Sequence, residues 1–328
     1  MSSKIQVAAL IGALATSVHA HGLLSAISVD ATAFTSYNPS FQYQNPAPEV
    51  IEWSCPQCQD NGFVEPSMYT DVAKIACHKD ATAGAKVAQV KAGGTIDIQW
   101  TTWPESHVGP VIDYLAKVDD VTTATAKDLE FFKIDAAGYE GGEWAATKLL
   151  KNNLTWSVTV PENIAAGQYV LRHEIIALHS AGQDNGAQNY PKCINIEVTG
   201  SGTETPAGVT ADKLYTPTDP GIKVNVYSGD LSSYVIPGPA LFSGATKPSS
   251  GAASSPTPTS TPVTASSAAV QNNAVSATPV ASSTPSASAG SGSSAAEKEF
   301  TLDTFVAWLQ ETAGSSSNER RHARAFSG

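Results

Sequence analysis

From residue 245 to residue 296 the chain has no aromatic residue and a single charge, Lys247, and Ser, Thr, Pro and Ala dominate. Such a stretch cannot bury enough apolar surface to offset the entropy of ordering it, so it reads as an extended, O-glycosylated linker. It bounds what can fold. Ahead of it, residues 21–244 are long enough for one domain with a sizeable core. Behind it, residues 297–328 place Leu302, Phe305, Val306 and Leu309 on one face of a short helix, with Thr301 or Thr304 as N-cap, followed by Arg320, Arg321 and Arg324. This tail has no cysteines to staple a carbohydrate-binding module and receives no function. Arg320-Arg321 resembles a processing site only weakly.

The first twenty residues read as an export leader. Lys4 supplies the positive start, residues 7–18 a mostly apolar run too short to span a bilayer, and Val18-His19-Ala20 a small-x-small cleavage site. Cleavage after Ala20 makes His21 the first residue and the protein secreted. No other stretch is long and apolar enough for a membrane, and a hydrophobic tail for lipid anchoring is lacking. The formal net charge of −11 argues against nucleic acid and suits a neutral polymer.

The domain reads as strands. Residues 95–103, 154–160, 193–198 and 222–227 alternate apolar and polar side chains, and Gly, Pro, Asn and Asp clusters separate them. With no long 3.6-residue period, the expectation is an all-β, immunoglobulin/fibronectin-like β-sandwich with long loops. The four cysteines, Cys55, Cys58, Cys77 and Cys193, allow three pairings, and secretion favours disulfides. Cys55-Pro56-Gln57-Cys58 lacks the second pair a zinc knuckle needs and reads as structural.

Of the seven histidines, His19 falls in the leader and His322 in the tail. An N-terminal His21 offers its amine and ring Nδ1 as a six-membered chelate. The amine's reference pKa near 7.7–8.0 lets a metal displace its proton at mild pH. One more imidazole completes three nitrogens, a set that suits copper. His107 lies in Trp103-Pro104-Glu105-Ser106-His107-Val108-Gly109-Pro110, a turn-rich loop after a strand, where sandwiches present function. His173 and His78 read as core or structural histidines.

His21-Gly22 after the leader, Pro48-Glu49-Val50-Ile51, His107-Val108-Gly109-Pro110, the run His173-Glu174-Ile175-Ile176-Ala177-Leu178-His179-Ser180-Ala181-Gly182 continuing to Gly186-Ala187-Gln188-Asn189-Tyr190-Pro191-Lys192-Cys193, and Ile236-Pro237-Gly238-Pro239 together resemble the fungal lytic polysaccharide monooxygenases of auxiliary activity family 9, formerly glycoside hydrolase family 61. The resemblance spans His21 to about Phe242. It implies one copper bound by His21 and His107, with Tyr190 axial. It implies His179 and Gln188 as the outer pair whose hydrogen bonds position oxygen at the metal, and Cys77–Cys193 as the family's common disulfide. It also implies Tyr43 and Tyr227, with Tyr234 as a further candidate, as rings that stack on a flat polysaccharide face. The implied partners are cellulose or a related β-glucan, an external electron donor and O2 or H2O2, with the protein a monomer. The chain departs from the family in having no cysteine pair at residues 117–122, while Cys55 and Cys58 are extra. Asn153-Leu154-Thr155 is an N-glycosylation sequon.

The expected activity is oxidative cleavage of β-1,4-glucan at C1 or C4. Two rivals stand beside it. A two-carboxylate hydrolase would leave plain reducing sugars, and a non-catalytic copper or carbohydrate binder would show no turnover.

Overall fold

The computed structural model describes residues 22–56, 58 and 62–245. The leader, His21, the linker beyond residue 245 and the tail lie outside them. The strands among the described residues are β1 (Leu24–Val29), β2 (Thr32–Thr35), β3 (Ala88–Lys91), β4 (Thr95–Trp100), β5 (Val111–Val118), β6 (Glu130–Ala137), β7 (Tyr139–Glu140), β8 (Glu143–Trp144), β9 (Thr155–Thr159), β10 (Gly167–Ala177), β11 (Gln188–Thr199) and β12 (Val209–Thr210). One sheet runs β2-β1-β4-β9. The other runs β12-β6-β5-β10-β11-β3, antiparallel except where β3 pairs with β11. The fold is the expected β-sandwich.

Two cores explain which strands alternate. Between the sheets, Ile27, Ile96, Ile98 and Val158 meet Leu115, Leu171, Ile175 and Ile196. The outer face of the larger sheet is covered too, by α1 (Val72–Ile75) and long loops that bring Tyr69, Ile75, Leu214 and Tyr215 onto Tyr114, Val170 and Ile176. β10 is therefore buried on both faces from Tyr169 to Ala177 and shows no alternation. β4, in the smaller sheet, alternates as expected but ends at Trp100, where the chain turns.

Residues 222–227 correct the sequence expectation. They form no strand. Ile222 and Lys223 turn back onto the Asp219 carbonyl, and the Val224 amide donates to the Ala181 carbonyl. Ile222, Val224 and Val226 are buried or half-buried against the outer core. The alternation is real, but it records a loop lying on that core, with no neighbouring strand to complete a ladder.

Candidate active site

After β4 the chain passes through a turn closed from within. The His107 amide donates to the Pro104 carbonyl (3.0 Å), and the Trp103 indole N–H donates to the His107 carbonyl (2.9 Å). The His107 ring stands edge-on to Trp103, centroids 5.9 Å apart, with Nδ1 3.2 Å from the Ser106 hydroxyl oxygen.

β10 ends two residues before His179. Consecutive turns follow: Ala181 N–H to Leu178 O, Gln183 N–H to Ser180 O, Gly186 N–H to Gln183 O. A Cβ on Gly186 would come 1.8 Å from the Ser180 carbonyl oxygen, so only glycine lets the loop close. The closure stacks the His179 ring on that of His107, centroids 4.0 Å apart and 28° between planes. The half-buried His179 Nδ1 has no hydrogen-bond partner among the described residues. Burial lowers the ring's pKa below the ordinary histidine range, so the neutral form prevails at neutral pH.

The pleat of β11 sends Gln188 and Tyr190 to one face and Asn189 to the other. The Tyr190 hydroxyl donates to Gln188 Oε1 (2.8 Å), and its ring meets Trp103 edge-on at 5.0 Å. Burial raises the phenol's pKa, which keeps it protonated. Behind them Asn189 is locked. Its Oδ1 accepts from the Tyr69 hydroxyl (2.5 Å), its Nδ2 donates to Glu174 Oε1 (2.9 Å), and its backbone exchanges two bonds with Val64 (2.9 Å each). Glu174 also takes two bonds from Arg172 (2.7 Å each) and one from the Tyr215 hydroxyl, while Arg172 reaches the Ile75 and Ala76 carbonyls. Arg172 and Glu174 are fully buried, and these partners are what make a charge pair tolerable there. Cys77 is bonded to Cys193, which ties the residue after the α1 C-cap to β11.

The remaining sites fall as follows. His173 is fully buried, accepting from the Trp100 indole (3.0 Å) at Nε2 with Nδ1 2.8 Å from Asp113, and His78 is buried with Nε2 2.8 Å from the Gly62 carbonyl. Both are structural. Cys55 pairs with Cys58. Asn153 is exposed on the turn between α2 (Ala145–Lys151) and β9. Tyr43 and Tyr227 are 73% and 75% exposed. Tyr234 is not such a ring: half-buried, it packs on Trp144 at 4.8 Å and donates its hydroxyl to the Gly221 carbonyl (2.9 Å), so it drops out of the stacking set.

Sequence reasoning passed over Trp103, which touches both His107 and Tyr190, and the Asn189–Glu174 lock. The signal for Trp103 was its place at the mouth of the His107 turn. For Asn189 it was a polar side chain set between two site residues, Gln188 and Tyr190. His21 lies outside the described residues. Its neighbour Gly22 is buried, and a Cβ there would come 2.1 Å from the Thr102 carbonyl oxygen, so Gly22 abuts the segment that leads into Trp103 and His107.

Two imidazoles, a phenol and an amide thus gather around Trp103, and the loop of the exposed Tyr227 is tied to the His179 loop by the Val224–Ala181 bond. The model of Auxiliary Activity family 9 (formerly GH61) matches residues 21–234, and the chain belongs to that family. It is a lytic polysaccharide monooxygenase, an oxidative enzyme of polysaccharide breakdown. It is 49% identical over 263 residues to the AA9 family lytic polysaccharide monooxygenase I of Botryotinia fuckeliana, covering 78% of this chain and 96% of that one. It is 51% identical over 251 residues to the corresponding enzyme A of Talaromyces verruculosus, covering 74% and 76%. The solved extended catalytic domain of H. jecorina LPMO9A matches with a TM-score of 0.67 and 48% identity, over 72% of this chain and 95% of that one.

Proposed function

We propose that this enzyme cleaves β-1,4-glucan, cellulose in the first place, by hydroxylating C1 or C4 beside the glycosidic bond, and that His21, His107 and Tyr190 would hold one copper ion. The observation that carries this reading is the convergence of His107, His179, Gln188 and Tyr190 around Trp103. Among the described residues no three His, Cys, Asp or Glu side chains could hold a metal ion, so the set needs His21. Gly22, which follows His21 in the chain, is wedged against Thr102, one residue before Trp103. The donors are nitrogens and a neutral phenol, which fits copper.

Copper would supply one-electron redox chemistry toward oxygen or peroxide. The balance is C–H plus H2O2 giving C–OH and H2O, or C–H plus O2 with two electrons and two protons giving the same products. The chain's own residues do the rest. Tyr190 commits its proton to Gln188 and would offer the metal a neutral oxygen. His179, neutral and with one buried nitrogen, can donate a hydrogen bond to an oxygen reactant or accept a proton from it. Tyr43 and Tyr227 offer stacking surface, and the Tyr227 loop is tied to the His179 loop by the Val224–Ala181 bond and a Lys223–Asp184 ion pair (2.7 Å). Secretion through the 1–20 leader, action as a monomer and a glycan on Asn153 complete the proposal.

Mass spectrometry of products from phosphoric-acid-swollen cellulose, with copper and a reductant, tests it. Aldonic acids or lactones mark C1 oxidation and 4-keto sugars mark C4. Plain oligosaccharides alone would mean hydrolysis, and no soluble product would mean a binder.

A further inference from the structure

The extra cystine shares a cluster with Phe41, whose turn also carries one of the two exposed tyrosines, Tyr43. Tyr37, Val50, Cys55 and Cys58 are buried together, with Phe41 and Ala81 packed against them, in a cluster separate from both sheet cores. Tyr37 and Phe41 meet edge-on at 6.2 Å. Phe41 and Tyr43 share one short turn, Pro39–Tyr43, capped by Asn38 Oδ1 on the Ser40 amide (2.9 Å). The loop that offers Tyr43 to solvent therefore has its own small core, and the Cys55–Cys58 bridge is part of its floor.

Glu52 fixes that core to the rest. It is 2% exposed, and its Oε2 accepts the Tyr37 amide at 2.7 Å, gripping the first residue of the loop. Its own segment is sewn to β11: the Trp53 amide donates to Cys193 O (2.9 Å), the Asn195 amide to Ile51 O (2.8 Å), and the Trp53 indole to Asn195 Oδ1 (2.8 Å). A cluster of six residues has little apolar area to spare, so its order depends on such anchors.

We propose that the Cys55–Cys58 bridge and Glu52 form a dedicated footing for the Tyr43 loop and set how tightly the enzyme engages a flat polysaccharide face, independently of the metal corner. This rests on the reading that Tyr43 contacts the glucan. The role is one of positioning: neither Glu52 nor the cystine touches substrate.

The test uses the full-length, copper-loaded enzyme and a Cys55→Ser/Cys58→Ser variant. Amides 37–46 exchange hydrogen faster in the variant, while those of β10 and β11 do not change. Cellulose binding weakens by about two- to tenfold, the range expected for one aromatic stacking contact, with calorimetric copper affinity kept. Adding Tyr43→Ala to the variant weakens binding no further than Tyr43→Ala alone, because both act through one ring. Glu52→Ala behaves like the cystine variant, and Glu52→Gln, which retains an acceptor for the Tyr37 amide, recovers binding. If the cysteine variant does not fold, Phe41→Ala opens the same cluster from the loop side. Unchanged exchange in residues 37–46, additive binding losses, or a parallel loss of copper affinity each overturn the proposal. Faster exchange with a Tyr43→Ala variant that binds cellulose normally leaves the footing intact and removes its role in binding, which identifies the Tyr43 reading as the part that failed.

Discussion

The strand around Asn189 and the loop around Tyr43 are held in opposite ways. Asn189 sits in a web of buried partners reaching Tyr69, Val64, Glu174, Arg172 and Tyr215, and the Cys77–Cys193 bridge beside it spans 116 residues of sequence. The Tyr43 loop has one side-chain bond at its base, six clustered residues and a bridge spanning three. In the chain-entropy picture a long closure constrains much of the unfolded chain and a short one little. The residues that must keep sub-ångström geometry thus draw on the stability of the whole domain. Tyr43, the residue proposed to meet a solid polysaccharide surface, draws on local order.

The largest effect expected from this contrast is on the long staple. Cys77→Ser/Cys193→Ser should cost about 4–5 kcal/mol, a fall in Tm of about 10–20 °C by calorimetry, with broadened copper resonances as β11 loosens. A fall of only a degree or two would break the comparison at its stronger end. Next, Glu174→Gln leaves Arg172 without its charge partner and should cost about 3–5 kcal/mol in chemical denaturation. If copper affinity falls along with stability, the lock positions Tyr190 as well as holding the sheet.

The third effect is on pH dependence. Burial raises the Glu52 carboxyl from 4.5 to about 7, against the opposing pull of Lys192 and the Tyr37 amide. The folded protein then holds the proton more tightly than the unfolded chain. This contribution is full below about pH 4.5 and is lost as pH rises through about 7. Asp135, buried beside Asp113, is likewise raised to about 7 and adds to the same slope. Stability should therefore decline by about 1–3 kcal/mol per group between pH 4.5 and 7.5, and Glu52→Gln should flatten part of the decline in thermal melts. An unchanged slope in that variant would show that Glu52 titrates alike in both states. Smallest is the short staple: Cys55→Ser/Cys58→Ser should cost about 2 kcal/mol or less. A loss as large as that from Cys77 and Cys193 would erase the distinction between the two corners.

What could be read in advance follows from the same physics. The sandwich was legible because β4 and β9 face one core and keep their alternation. β10 was not legible as a strand, because both of its faces are covered and its pattern is a continuous buried run. Residues 222–227 misled because a loop lying along a core alternates as a strand does. The His107 and Tyr190 segments stood out by motif, whereas the burial of Tyr234 against Trp144 and the Gly221 carbonyl depends on contacts made between distant segments, which spacing along the chain does not encode. The Cys55–Cys58 pairing is local, but it is told from the alternatives only by the partnering of Cys77 with the distant Cys193. The Glu174–Asn189 lock joins residues fifteen apart through a sheet register, visible only once β10 and β11 are paired.

Gly22 sets a length standard for the mature protein that the proposed cleavage after Ala20 would produce. It is seated against Thr102 with no room for even one carbon more, and β1 behind it is paired on both sides, so the chain end cannot slide to absorb an error. A slip of one residue would turn every side chain of β1 to the wrong face. A leader cut one bond early or late would therefore leave the sandwich intact and the terminus misplaced by a whole residue. With His21 as the proposed ligand, such an error would appear in a culture as a fully folded, inert fraction among working molecules, and heterogeneous trimming would read as low occupancy of the metal in a preparation that looks homogeneous by every measure of folding.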